Sequence, residues 1–301
     1  MRRQLPPTTA SLTEVSARGG VLSIGNFDGV HVGHRLLLER MRTAARTRGA
    51  PSVVVTFFPP ARVLFGGGQS LMTPAEKLVA LAEYEPDVVV NTPFDRDFAN
   101  TDKEAWLAQL AALAPSLIVV GQDFRFGKGR TGGLDDLGRV TEALEAFSLL
   151  ERGGAVVSSS RVRELLGSGE VAAAALLLGA PYLVRGVVTR GRQLGRTIGF
   201  PTANLEVPAG KVLPPGVFAV RLEVDGRALD GMANVGPRPS FPEAPPALEV
   251  HVFDFAGDLY GAELDVRFIE RLRGQVAFAG VDALRAQLSL DERAARAALG
   301  L

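Results

Sequence analysis

The sequence predicts an α/β protein of two domains: a mainly parallel sheet flanked by helices, then a small antiparallel β-barrel with terminal helices. Three observations carry that expectation. The chain has 301 residues, more than one hydrophobic core usually serves. Its first half alternates short β-branched runs with helix-period stretches, the pattern of βαβ units. After about residue 180 the texture changes to period-two alternation of apolar and polar residues, which suits an antiparallel sheet.

Strand-like runs lie at residues 21–24, 52–57, 87–91 and 116–120, and helical stretches near 34–48, 74–84, 103–113 and 134–149. Parallel sheets bind ligands beyond the carboxyl ends of their strands. Here GNFDGVHVGH (25–34) and GQDFRFGKGRTGG (121–133) follow directly on the first and fourth strands, so one composite pocket is expected. Two short helices then lead to a boundary near 179–181, giving domains of 1–180 and 181–301. In the second domain, residues 216–224, 247–255 and 262–268 alternate. Phe218, Val220, Leu222 and Val224 should share one face of their strand, and Leu264, Val266 and Phe268 one face of theirs. Asp225-Gly226 signals a hairpin, and helical patterns near 281–288 and 291–299 close the chain.

Composition narrows the chemistry. Cysteine is absent, which excludes disulfides, thiolate metal sites and a thiol nucleophile. Thirty-three basic and 33 acidic side chains balance, so the overall field does not favour nucleic acid or an acidic membrane, although a local patch stays open. Only Lys77, Lys103, Lys128 and Lys211 among the basic residues are lysine. The first ten residues are charged and lack the apolar core of a signal peptide. The longest apolar run, 171–184, is broken by Gly179 and Pro181 and is too short to span a bilayer. A cytoplasmic protein is expected.

Two of the three histidines, His31 and His34, fall within Gly25-Asn26-Phe27-Asp28-Gly29-Val30-His31-Val32-Gly33-His34, between a strand and a helix. Glycines permit a tight turn, and a helix start offers unpaired N–H groups to an anion. Histidines three apart can then stabilise charge on a phosphoryl group. Alternatively they cap and pack, or share a metal with Asp28; His251, the third, lies far off in the other domain. Anion stabilisation is preferred. Gly121-Gln122-Asp123 and the following phenylalanines read either as a base-recognition loop or as a structural loop. Ser158-Ser159-Ser160 with Arg161 and Arg163 reads as a phosphate clamp or a simple N-cap. Farther on, Gly191, Gly195 and Gly199 with Arg192 and Arg196 form a loop whose amides can approach phosphates. Thr202 and Asn204, alternating along extended chain, can aim oxygens at Mg²⁺ held by substrate phosphates. A solvent-facing hairpin is the plainer reading of that loop.

These segments resemble the nucleotidyltransferase superfamily with an H-x-G-H motif. More narrowly, GNFDGVHVGH, TFFPP (56–60), GQDFRFG and SSSRVRELL (158–166) look like the N-terminal domain of prokaryotic bifunctional riboflavin kinase/FAD synthetases, over roughly residues 15–180. That likeness implies a Rossmann-like nucleotidyltransferase domain that moves the adenylyl group of ATP to FMN, yielding FAD and pyrophosphate. It assigns His31 and His34 to the ATP phosphates, and Gly25, Asn26, Asp28 and Gly29 to the nucleotide pocket. Asp123 would lie near the adenosine, while Ser159, Ser160 and Arg163 hold phosphates. One departure is Pro59-Pro60-Ala61, where the family often has Pro-His-Pro after its T-F-x run.

The stretch GRQLGRTIGFPTAN (191–204) resembles the riboflavin kinase signature, joined by PPGVFAV (214–220), ANVGPRPSF (233–241), LEVHVFDFAGDLYG (248–261) and VDALRAQLSLD (281–291). The resemblance spans about 182–295. It implies that Thr202 and Asn204 bind Mg²⁺ and ATP phosphates and that Glu249 accepts the proton of the riboflavin 5′-hydroxyl, with ADP as product. Period two puts Glu249 opposite Leu248 and Val250, toward a pocket or toward solvent. Gln275 is a second departure, since relatives commonly carry an acidic residue near it; the role of His251 is left open, with packing the default. The expected partners are riboflavin, FMN and ATP, with Mg²⁺ as cofactor and no nucleic acid or membrane. An adenylyltransferase for another phosphorylated metabolite would leave the second signature unexplained. An aminoacyl-tRNA synthetase would need a lysine-rich second motif. A silent flavin- or nucleotide-binding regulator is opposed by His31, His34, Thr202, Asn204 and Glu249.

Overall fold

The computed structural model describes residues 4–191, 194–236 and 246–301. The chain divides into two compact units, residues 1–159 and 160–301. Arg192, Gln193 and residues 237–241 of the quoted signatures lie outside the described residues.

The first unit begins with β1 (Thr8–Thr9), β2 (Val21–Ile24), α1 (Val32–Arg48) and β3 (Ser52–Phe58). Next come α2 (Ala61–Gly66), α3 (Pro74–Ala82), β4 (Val88–Pro93), α4 (Arg96–Ala99), α5 (Lys103–Ala112) and β5 (Leu117–Gly121). It ends with α6 (Leu134–Gly138), β6 (Leu144–Phe147) and a small ribbon of β7 (Glu151–Arg152) and β8 (Ala155–Val156). The main sheet has the order β1-β4-β3-β2-β5-β6, and every neighbouring pair is parallel. Both its faces are covered, which is why its central strands are unbroken apolar runs rather than alternating ones. Leu22, Val53, Val55, Val90, Ile118 and Val120 pack toward Trp106, Leu107 and Leu110 of α5. Val21, Val54, Val89, Leu117 and Val119 pack toward Leu37, Leu38 and Met41 of α1 and Leu81 of α3. A capping box of Thr73 and Glu76 with Pro74 at the first position starts α3.

The helix expected over 134–149 is absent. Instead α6 stops at Gly138, and residues 144–147 add a sixth parallel strand against β5. The cause is tertiary. Thr141 Oγ1 donates to the carbonyls of Pro115 and Ala143, and the Ile118 amide donates to Ala143 O at 3.0 Å. Arg40 of α1 then grips Glu145 through two hydrogen bonds, Nε to Oε2 at 2.6 Å and Nη2 to Oε1 at 2.5 Å.

The second unit holds most of α7 (Ser159–Gly167), then α8 (Val171–Leu178), β9 (Tyr182–Thr189), α9 (Leu194–Thr197) and β10 (Ala203–Glu206). It continues through β11 (Gly216–Val224), β12 (Arg227–Gly236), β13 (Ala247–Val252), β14 (Glu263–Arg273) and α10 (Val281–Leu299). The unit therefore takes in residues that sequence texture had grouped with the first domain; α8 packs on β9 and β14. Strands β10-β13-β12-β11-β14-β9 close into an antiparallel barrel. Phe218, Val220, Leu222, Leu264, Val266 and Phe268 fill it as the alternation requires, with Phe218 and Phe268 edge to face at 5.2 Å. Asp225 and Gly226 turn the β11–β12 hairpin with φ of 48° and 76°, as a type I′ turn demands. Ala219 and Met232 are buried on the barrel's outside because α10 covers them with Ala295 and Leu299. The two terminal helical patterns are one helix of 19 residues, since neither Ser289 nor Leu290 breaks the turn and Ser289 Oγ bonds back to Arg285 O.

Candidate active sites

In the first unit the turn after β2 is built around backbone that favours glycine. Gly29 has φ 86°, but Phe27 and Val30 also lie in the left-handed region, at 45° and 39°. For a β-branched residue that conformation costs of order 1–3 kcal/mol and needs surrounding structure to hold it. The hold is visible. Phe27 is fully buried, its ring 3.2 Å from where a Cβ on Gly25 would stand, and Arg35 Nε donates to Val30 O. The Gly25 amide donates to Val55 O at 3.0 Å, and Thr56 Oγ1 donates to Asn26 O at 3.0 Å. Asp28, 1% exposed, accepts from the amides of Leu71 and Met72 at 3.1 Å and so braces the segment leading into α3. Ser159, the last residue of this unit, donates through Oγ to Asp28 O at 2.8 Å.

His31 is the N-cap of α1: its Nδ1 accepts from the His34 amide at 3.3 Å, so the proton of the neutral ring belongs on Nε2. The two imidazoles stack at 3.6 Å with 14° between planes, and Phe27 meets His34 edge-on. Gly33 makes the stack possible, because a Cβ there would stand 3.3 Å from the His31 ring. Burial pulls His31 down to about 4 and His34 well below the usual imidazole range, the latter helped by the fields of His31 and Lys77. Both rings are neutral at pH 7. His34 Nδ1 is buried without a hydrogen-bond partner, a polar atom whose burial is otherwise unexplained. Asp123 is exposed at the carboxyl end of β5, the same end of the sheet as the histidine turn. Phe124 and Phe126 pack around Trp106, as a structural loop would. Ser160 is exposed and Arg163 half-buried; both follow in α7, in the second unit. Where a family histidine was expected, Pro60 caps α2 instead.

In the second unit three polar residues line up across adjacent strands. Glu249 on β13 is the register partner of Asn204 on β10 and of Asn234 on β12. Leu248 and Val250 are buried in the barrel, so the Glu249 face is outward, and Glu249 itself is half-buried. Gln275 Nε2 donates to Asn234 Oδ1 at 2.9 Å and to Val235 O at 2.8 Å. Gly191 lies against the Asn204 carboxamide so closely that a Cβ would collide with it, and a Cβ on Gly195 would collide with the Phe200 carbonyl. Gly199 needs its φ of 88°; Arg196 and Thr202 are exposed. His251 Nδ1 donates to Pro201 O at 2.7 Å and its ring meets Phe200 and Phe253 edge-on, a packing role. Asn234, Gly33 and Lys77 were not singled out from the sequence. Lys77 had a signal, being one of four lysines in an arginine-rich chain.

Among the described residues no cluster of three or more His, Asp or Glu side chains could hold a metal ion, and no helix is long and apolar enough to cross a membrane. Two separate candidate sites, one in each unit, are the arrangement of a transferase of two modules, and the family matches show that class. A FAD synthetase family model matches residues 13–161 and a riboflavin kinase family model matches 178–299. The chain belongs to the bifunctional riboflavin kinase/FMN adenylyltransferase family. It is 40% identical to the Escherichia coli (strain K12) member over 97% of this chain and 96% of that protein. It is 34% identical to the Bacillus subtilis (strain 168) member over 91% of each. A crystal structure described as a macrolide-efflux protein from Streptococcus pneumoniae superposes with a TM-score of 0.88 at 30% identity, covering 97% of this chain and 99% of that one. Kinases and adenylyltransferases that use ATP generally need a divalent metal.

Proposed function

We propose that the barrel unit phosphorylates riboflavin and that the parallel-sheet unit adenylylates the FMN so formed, each with ATP and Mg²⁺. The functional boundary is drawn at 180/181. The observation that carries this reading is Glu249, a carboxylate held outward between two asparagines on consecutive strands of the barrel. An alcohol attacking a phosphoryl group requires a base, and a carboxylate is suited to orient the hydroxyl and take its proton.

At the barrel, Glu249 takes the proton of the riboflavin 5′-hydroxyl; the oxygen bonds to the γ-phosphorus and ADP leaves. Thr202 and Asn204 offer neutral hard oxygens, which suit an ion that keeps most of its ligands as water and phosphate. Mg²⁺, when bound there, would neutralise charge developing on the phosphates. Gly195 and Gly199 shape the loop, and Arg196 reaches the phosphates from it.

At the sheet, an FMN phosphate oxygen bonds to the α-phosphorus of ATP and pyrophosphate leaves. His31 and His34, as neutral N–H donors, together with the first amides of α1, stabilise the charge on the transferring group. Gly25, Asn26, Asp28 and Gly29 form the turn that presents them. Asp123 receives the adenosine, and Ser159, Ser160 and Arg163 are assigned to phosphate binding.

Purified protein incubated with riboflavin, ATP and Mg²⁺ is expected to give FMN and then FAD on chromatography of the flavins. Unchanged riboflavin would sink the proposal. Gly191→Ala places a methyl group against the Asn204 amide. Overpacking of 1–3 kcal/mol directed at one ligand predicts roughly a ten-fold or greater loss of riboflavin phosphorylation, while added FMN still becomes FAD. Equal loss of both activities would refute the assignment of Asn204.

A further inference from the structure

Lys77 of α3 is completely buried, a placement that an ammonium group accepts only when its hydrogen bonds are made. Its three protons meet three acceptors: Asn26 O at 2.9 Å, Phe57 O at 2.8 Å and Thr56 Oγ1 at 3.3 Å, with the Phe58 ring 5.5 Å away. Two of these acceptors are neutral carbonyls at the ends of the very segments that frame the site, the turn after β2 and the last residues of β3. Among the described residues no carboxylate forms a direct ion pair with it. The nearest influence favouring its charge is Asp28, whose carboxylate is itself engaged by the Leu71 and Met72 amides. A methionine would fill this space without that cost, so core packing does not account for the residue.

We propose that Lys77 is a positioning residue for adenylyl transfer, its buried ammonium pinning the Asn26 and Phe57 carbonyls and supplying fixed positive charge beside the histidine pair. The pinned carbonyl of Asn26 immediately precedes Phe27, the first left-handed residue of the turn. Thr56 completes the link, since its hydroxyl donates to the same Asn26 carbonyl and accepts from Lys77. A positive charge held there without touching substrate favours the approach of an anionic nucleotide and adds to the burial and the His31 field that already hold His34 neutral. The titratable groups facing Lys77 are Asp28 and His34, and burial holds its own titration down at about 8.

This inference rests on the assignment of His31 and His34 to adenylyl transfer, which conversion of FMN to FAD by the unmodified chain, and its loss in His31→Ala, test separately. In the full chain, Lys77→Met is expected to lower kcat/KM for FMN adenylylation about 100-fold while riboflavin phosphorylation is unchanged. In the unmodified chain that kcat/KM should fall above about pH 8 as Lys77 loses its proton; the fall should be absent in Lys77→Met. A purely structural lysine would lower the rate and leave the alkaline fall in place. Thr56→Val, which keeps volume and charge but removes one acceptor, covers the case in which Lys77→Met does not fold. It should reduce FMN adenylylation roughly three- to ten-fold and move the alkaline fall to lower pH. An unchanged rate in either variant, or an alkaline fall common to all three proteins, would overturn the proposal.

Discussion

Glu249→Gln will stop the formation of FMN from riboflavin and leave the conversion of added FMN to FAD intact. Glutamine keeps the size of the side chain and its ability to hydrogen-bond, so the β13 ladder with Asn204 and Asn234 opposite should persist. What it loses is the capacity to take a proton. General-base catalysis contributes about 10²–10⁴-fold, so the rate of riboflavin phosphorylation should fall by that order with little change in the KM for ATP. Initial rates measured separately with riboflavin and with FMN make the comparison. A phosphorylation rate near that of the unmodified chain would show that the proton goes elsewhere.

His31→Ala will have the complementary effect: FMN accumulates and FAD does not. Removing one preorganised donor from a developing phosphoryl charge costs about 10²–10³-fold. The substitution also deletes the α1 N-cap, about 1 kcal/mol of stability, so denaturation curves should accompany the rates. They carry a further signature. The folded His31 titrates at about 4 against a reference value of 6.5, and the unfolded chain therefore binds its proton first. Its effect on stability is absent above pH 6.5 and grows unfavourable as pH falls toward 4, reaching about 3 kcal/mol. Part of the acid sensitivity of the unmodified chain should thus disappear in the alanine variant, although at pH 7 the variant is the less stable of the two. Acid sensitivity equal in both would mean that His31 is not buried in its neutral form.

Where pattern and burial are set locally, sequence reading sufficed. The runs of valine and isoleucine in β2 to β5 are buried on both faces and could only be central parallel strands, and the alternation in β11 and β14 follows from a barrel interior. Residues 134–149 defeated it because the strand identity of 144–147 comes from β5 and Arg40, a partner 105 positions away, not from local propensity. The sites divide the same way. The motif residues were legible, yet the geometry that makes them useful was not. That a glycine at 33 clears room for the His31 ring, or that Asn234 stands opposite Glu249, depends on distances across the fold. Lys77 was hidden for the same reason, since its acceptors lie 20, 21 and 51 residues off in sequence.

The β10–β13–β12 ladder has a consequence for how this enzyme can evolve. Glu249 points outward only because pairing on both sides holds β13 in one register. Deleting a single residue within β13 would exchange its two faces, turning the carboxylate toward the apolar interior and Leu248 or Val250 outward. The barrel site is thus open to change by substitution but closed to small insertions and deletions within its strands, so length variation among descendants of this chain should collect in the connections between them.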